Sequence, residues 1–177
     1  MSNKQTPSQT VGPYFAYGLT PEQYLYDFKQ LVTNQMVNPI NTDNIITITG
    51  KVFDGENQPI SDAMVEIWQN DGEKQLFGRF GTGTDPENRF IFHTIKPNSV
   101  DSQAPHLSVI LFMRGQLIHT YTRIYFSDEV VLNAKDTVLI SVPEERKATL
   151  MAQQKSPGTY EFNIYMQGDK ETVFFDI

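Results

Sequence analysis

Residues 103–115 read Gln103-Ala104-Pro105-His106-Leu107-Ser108-Val109-Ile110-Leu111-Phe112-Met113-Arg114-Gly115. Pro105 suits the first residue of a strand, because proline cannot donate to a sheet ladder. Leu107, Val109, Leu111 and Met113 then recur with period two, the pattern of a strand with one face buried. His106, Ser108, Ile110, Phe112 and Arg114 share the other parity and project from the opposite face. Residues 114–116 supply a turn and residues 118–126 a return strand, which predicts a hairpin.

The same alternation extends outward. Ile46, Ile48, Gly50 and Val52 form a strand that ends at the turn Asp54-Gly55-Glu56-Asn57, and Val65 and Ile67 mark the next. Trp68 and the pair Phe90 and Phe92 read as core. The glycine-rich residues 78–83 read as a loop, with no helix pattern behind it to make a phosphate cradle. Residues 89–94 and the series Tyr160, Phe162, Ile164 and Met166 are further strands, and residues 173–177 form an apolar tail expected to dock. Helix signals are confined to residues 21–29, opened by Thr20-Pro21, and to residues 128–135 and 143–152. Pro7 and Pro13 favour an extended arm over residues 6–19, and residues 31–44 read as loop. The fold class expected is all-β, a single-domain β-sandwich with an extended N-terminal arm and a few short helices. Residues 1–44 form the arm and a short helical or loop segment, and residues 45–177 the sandwich.

Composition narrows the function classes. The 177 residues suffice for one sizeable core. A net charge of -7 without clustered Lys and Arg argues against nucleic acid. The chain has no cysteine, so disulfides, thiolate metal sites and a cysteine nucleophile are excluded. The polar N-terminus lacks a signal-peptide core, and no apolar run approaches the roughly 20 residues that span a bilayer. A cytoplasmic protein without membrane contact is expected.

Only His93, His106 and His119 are available as imidazole donors. No two of them have the i, i+2 or i, i+4 spacing that aims two rings at one metal, and HExxH, Walker A, GxSxG and dinucleotide glycine patterns are absent. Taken singly, each histidine reads as structural or surface. Arg123 reads as half of a structural ion pair. The strand from His106, with small polar Ser108 next on the same face, has the form of a metal strand lacking one ligand.

Several segments together resemble the intradiol ring-cleavage dioxygenases: Glu66-Ile67-Trp68-Gln69, His93-Thr94-Ile95-Lys96-Pro97, Ala104-Pro105-His106 and residues 123–128, in that order and spacing. The arm from Thr6 to Tyr14 and the ending from Glu171 to Ile177 resemble the alpha-type subunits of that family. The resemblance covers nearly the whole chain. It implies a ferric ion held by two tyrosinates and two histidines of a beta-type partner, and opening of a catechol ring by dioxygen between its hydroxyl-bearing carbons. The implied substrate is a carboxylated catechol, protocatechuate, and the product 3-carboxy-cis,cis-muconate. Of the four ligand positions, this chain keeps His106 alone. Ser108 stands at the second histidine, Val100 at one tyrosine, residues 70–92 contain no tyrosine for the other, and Gln103 replaces an arginine. No metal site and no catalytic residue are therefore expected here, and the iron is expected in the partner beta subunit. By the same resemblance Thr10, Gly12, Pro13 and Tyr14 of the arm, with Arg114, line the partner's substrate cavity. A guanidinium suits a substrate carboxylate, and glycine lets backbone approach a flat ring. Two segments, residues 69–78 and those after Pro97, are shorter than the family pattern and bear on cavity shape.

Two other readings stand beside this one. The chain is a non-catalytic β-sandwich that binds a small molecule or partner protein, or a self-contained metalloprotein using His106 with Tyr121 or Tyr125. His119, Tyr121, Arg123 and Tyr125 share one strand face and offer no second ligand strand, which weighs against the last.

Overall fold

A computed structural model describes residues 14–70 and 72–176. Its strands are β1 (Ile45–Phe53), β2 (Met64–Asn70), β3 (Gln75–Gly81), β4 (Arg89–Ile95), β5 (His106–Phe112), β6 (Thr120–Phe126), β7 (Met151–Ser156), β8 (Thr159–Glu161) and β9 (Ile164–Tyr165). They join in the order β3-β2-β5-β6-β7-β8-β1-β4, with β9 on β1. The predicted hairpin is present: β5 and β6 run antiparallel, with His106 opposite Tyr125 and Leu111 opposite Thr120. β1 alternates without exception between buried and half-buried positions, as period two requires.

The sheet curls until its inner faces meet. Ile46, Ile48 and Val52 of β1 and Phe90 and Phe92 of β4 pack with Val65 and Ile67 of β2, Leu107, Val109 and Leu111 of β5 and Ile124 and Phe126 of β6. Each such side chain, fully buried, contributes about 1.5–3 kcal/mol. The end strands β3 and β4 do not pair directly; residues 33–36 fill the seam. Arg79 N–H donates to Thr33 O and His93 N–H to Asn34 O, while Met36 N–H donates to His93 O at 2.9 Å. Backbone groups on both strand edges are satisfied by this strip, as buried polar backbone must be.

Several expectations change at the level of elements. Of the glycine-rich residues 78–83, residues 78–81 belong to strand β3, and only 82 and 83 lie in the loop expected for the whole stretch. Gly78 lies against Met36 and Phe92 so closely that a Cβ would come within 2.6 Å of Met36 Cγ, so glycine here permits close packing instead of a turn. Trp68 is 48% exposed, not core; it faces outward on β2 and stacks on Phe77 at 4.1 Å. Residues 14–19 form helix α1 (Tyr14–Leu19) where an extended arm was expected, and the helix expected over residues 21–29 is a single 3-10 turn, Pro21–Tyr24. Beyond it Leu25 takes a left-handed conformation (φ 62°), which halts the helix.

The helical excursion between β6 and β7 comprises α2 (Val130–Asn133), α3 (Thr137–Ser141) and α4 (Glu144–Lys147), with a 3-10 turn, Ala148–Leu150, leading into β7. It covers a second core of Ala104, Tyr125, Leu139, Val142 and Leu150, on which Val173 and Phe175 of the tail pack. Thr122 Oγ1 donates to Val173 O at 2.8 Å, so the tail is docked as expected. Among the described residues no helix is long and apolar enough to cross a membrane.

Candidate functional site

β5 has two ends, and each carries a side chain singled out above. At its start, His106 opens into a cavity of about 260 Å³ lined with Trp68, Gln69, Val100, Gln103 and Ser108. The positions matched to metal ligands thus do converge in space. His106 Nδ1 lies 2.8 Å from Ala104 O, and a carbonyl can only accept, so Nδ1 carries the proton and Nε2 the lone pair. Burial pushes the imidazole below its ordinary 6.5, and the Arg123 guanidinium adds to that effect, so the ring is neutral at pH 7.

The rest of the pocket is not a ferric site. Val100 has no donor and Ser108 offers only a neutral hydroxyl. Gln103 Oε1 accepts from Arg123 Nη1 at 2.8 Å. Gln69 is occupied by Ile95 O and by the Thr94 hydroxyl. Ferric iron favours anionic oxygen donors, and among the described residues no three His, Asp or Glu groups gather to hold a metal. The Tyr125 hydroxyl, pushed up to about 12 by burial, is already engaged by its neighbours. That hydroxyl lies 3.2 Å from Asp136 Oδ1, to which it donates, and 3.2 Å from Arg123 Nη1. Tyr121 is taken by His119 Nε2 at 2.7 Å. Among the described residues Arg123 therefore binds neutral oxygens, not the carboxylate of an ion pair.

Asp136, which sequence reasoning passed over, organises this end. It is fully buried, and its Oδ1 caps α3 by accepting from Val138 and Leu139 N–H, while Oδ2 accepts from Ala104 N–H at 2.8 Å. The Asp136-Thr137 pair at the head of an apolar run is an N-cap signal that could have located both the helix and the carboxylate.

Arg114 lies past the other end of β5, roughly 25 Å from His106 at ~3.3 Å per residue. The structure does not bring the two together. Arg114 Nε forms an ion pair with Asp62 Oδ2; the arginine side chain is 65% exposed and the aspartate 17%. An open cleft of about 520 Å³ lies beside them, lined with Pro59, Ser61 and Met113. The hairpin turn is pinned by Gln116, whose Oε1 accepts from Met113 N–H at 3.0 Å and whose Nε2 donates to Thr120 Oγ1 at 3.1 Å. Gly115, at φ 86°, takes the left-handed conformation that glycine tolerates. The Asp62 backbone is equally fixed: Thr82, fully buried, donates from Oγ1 to Ile60 O at 2.7 Å and accepts from Ala63 N–H at 3.2 Å. Neither Asp62 nor Gln116 carries a local sequence signal.

The described part of the arm ends up beside this group. Tyr17 packs edge-on against Tyr24 at 4.9 Å. Gln23 bonds both backbone groups of Gly81, accepting from its N–H at 2.9 Å and donating to its carbonyl. Burial raises the Tyr24 hydroxyl above its ordinary 10.0, with Tyr17 and the nearby Asp62 carboxylate adding to the rise. Thr10, Gly12 and Pro13 lie outside the described residues; Tyr14 is the first residue of α1.

A further cavity of about 400 Å³ lies elsewhere, against β7 and β8, lined with Lys155, Glu161 and Tyr165 among others. Lys155 and Glu161 neutralise each other at 2.7 Å, and the residues matched above are not part of it.

No family model matches the chain. A protocatechuate 3,4-dioxygenase alpha chain from Burkholderia cepacia is 47% identical over 193 residues, covering 98% of each chain. The corresponding alpha chain from Pseudomonas putida is 37% identical, covering 97% of this chain and 96% of its own. The beta chain from Burkholderia cepacia is 26% identical, over 80% of this chain and 72% of its own. Among solved structures, the dioxygenase domain of a carbohydrate-binding fusion from Streptomyces sp. SirexAA-E superposes with a TM-score of 0.61 at 20% identity, covering 96% of this chain and 100% of that one. An intradiol ring-cleavage dioxygenase from Tetranychus urticae gives 0.59 at 15% identity, covering 92% and 94%. At these identities the structural matches speak to the fold.

Proposed function

This chain belongs to the protocatechuate 3,4-dioxygenase alpha chains, within the intradiol ring-cleaving dioxygenases, and from that membership we propose that it is the non-iron-binding subunit of such an enzyme. It pairs with an iron-bearing beta chain and helps line the cavity in which protocatechuate is opened by dioxygen to 3-carboxy-cis,cis-muconate. The iron, as Fe(3+), is held by the partner.

The observation that carries this reading is the donor set around His106. One neutral imidazole beside Ser108, Gln103 and Val100 retains the shape of a ligand strand without the anionic donors that ferric iron needs. The reaction centre is then a neighbour's. Thr10, Gly12, Pro13, Tyr14 and Arg114 are this chain's contribution to the substrate cavity. In support, the arm past Tyr14 runs through Tyr17 and Tyr24 to the same end of the sheet as Asp62 and Arg114. Arg114 supplies a guanidinium for the substrate carboxylate.

Purification of the chain alone, and again with a co-expressed beta chain, tests the proposal. The lone chain should be colourless, iron-free and inactive, and the assembled pair red-brown, as ferric tyrosinate is, and active. Stoichiometric ferric iron in the lone chain, or failure to assemble with any beta chain, would overturn it.

A further inference from the structure

Resting on the reading of Arg114 just given, we infer that Asp62 is a positioning residue for carboxylate recognition: it holds the Arg114 guanidinium in the orientation that meets the substrate. Asp62 is distant in sequence and comes from the β1–β2 connection, a different element from the hairpin that carries the arginine.

Three observations support this assignment. The first is where the two charges meet. Asp62 forms an ion pair with Arg114 in which Nε is the contacting nitrogen, a charge contact without hydrogen-bond geometry. A guanidinium has five N–H donors in a fixed plane, so a contact at Nε leaves the edge formed by the two terminal nitrogens open to a second carboxylate. Among the described residues Asp62 is the one carboxylate within ion-pair reach of Arg114.

The second observation concerns rigidity. The aspartate is largely covered while the arginine is largely exposed. Both backbones are tied down, that of Asp62 between the Thr82 bonds to Ile60 and Ala63, that of the hairpin by Gln116. A free arginine on an exposed hairpin must lose rotamer freedom when it binds, and a side chain already held in place loses less. The third is the open cleft that Asp62 and Arg114 line together, which gives a ligand room to reach the largely exposed guanidinium.

The opposite effect is physically available. Asp62 could act as a competing anion that substrate must displace, and its removal would then tighten binding. The fixed backbones and the open terminal edge favour positioning.

The test uses the assembled alpha–beta enzyme with wild-type, Arg114→Ala, Asp62→Asn and Asp62→Glu alpha chains, assayed on protocatechuate and on plain catechol. Asp62→Asn should raise KM for protocatechuate about three- to tenfold, with kcat nearly unchanged and catechol handled as in the wild type. Asp62→Glu should recover part of the loss. Arg114→Ala should weaken handling of protocatechuate more than of catechol. If Arg114→Ala acts selectively but Asp62→Asn changes nothing, lowers KM, or affects both substrates alike, the positioning role is wrong while the reading of Arg114 stands. If Arg114→Ala affects both substrates equally, the reading of Arg114 falls and this inference falls with it.

Discussion

Gly50 of β1 lies directly beneath the backbone of Phe162, where a Cβ would come within 1.7 Å of the Phe162 carbonyl oxygen and 2.7 Å of the Phe90 ring. Phe162 lies between β8 and β9 with its N–H bonded to Thr49 O at 2.8 Å, so its carbonyl oxygen cannot swing aside as a flexible side chain can. Gly50→Ala is therefore expected to destabilise the chain by about 3 kcal/mol or more, because the β1 segment must separate from its neighbour. Urea unfolding, followed by tryptophan fluorescence from Trp68, measures it. An unchanged midpoint would show that the two backbones are not packed as described.

Asp136 joins the helical excursion to the entrance of β5. Asp136→Asn keeps the size but replaces one acceptor with an amide that cannot accept from both Ala104 N–H and the α3 terminus. Expected destabilisation is about 2–4 kcal/mol, from buried donors left without partners. Thermal unfolding gives the size of the effect, and amide exchange at Ala104, Val138 and Leu139 its location. Loss of protection spread evenly over the sheet would count against the local account.

The buried His106 makes stability depend on pH. Its folded pKa is depressed below the ordinary 6.5 by burial, with Arg123 contributing, so the unfolded chain binds the proton more readily. Stability from this group is therefore complete above pH 6.5 and declines as the pH falls through the folded value. His106→Gln should flatten the stability profile of the chain on the acid side of about pH 6.5. The comparison is of urea midpoints for the two proteins across that range. Parallel profiles would place the acid sensitivity in other groups.

Much of the sandwich was legible because its inner strands obey a strict alternation. Residues 107–113 and 46–52 each state which face is buried, and the structure buries that face. The errors cluster where one residue type serves two physical ends. Gly78 looked like a chain breaker, yet it is a spacer in a strand whose neighbours Met36 and Phe92 leave no room for a side chain. Trp68 looked like core by its size, but its parity on β2 is the outward one and it rests on Phe77. At the candidate site, His106, Ser108, Val100 and Gln103 could be picked out by matching positions, and they do surround one cavity. Asp62, Gln116 and Thr82 could not, because their roles exist only once the β1–β2 connection and the β5–β6 hairpin are folded side by side.

The strip at residues 33–36 that sews β3 to β4 has a bearing on solubility. Without it, Arg79 and His93 would present unmatched amide groups on two ladders at once, one at each margin of the same curved sheet. A polypeptide with two such sticky margins can add copies of itself at both, growing into a polymer rather than stopping at a pair. The few residues ahead of the first strand thus act as a stopper against runaway self-assembly, and a clipped product lacking them is expected to precipitate even if its core is sound.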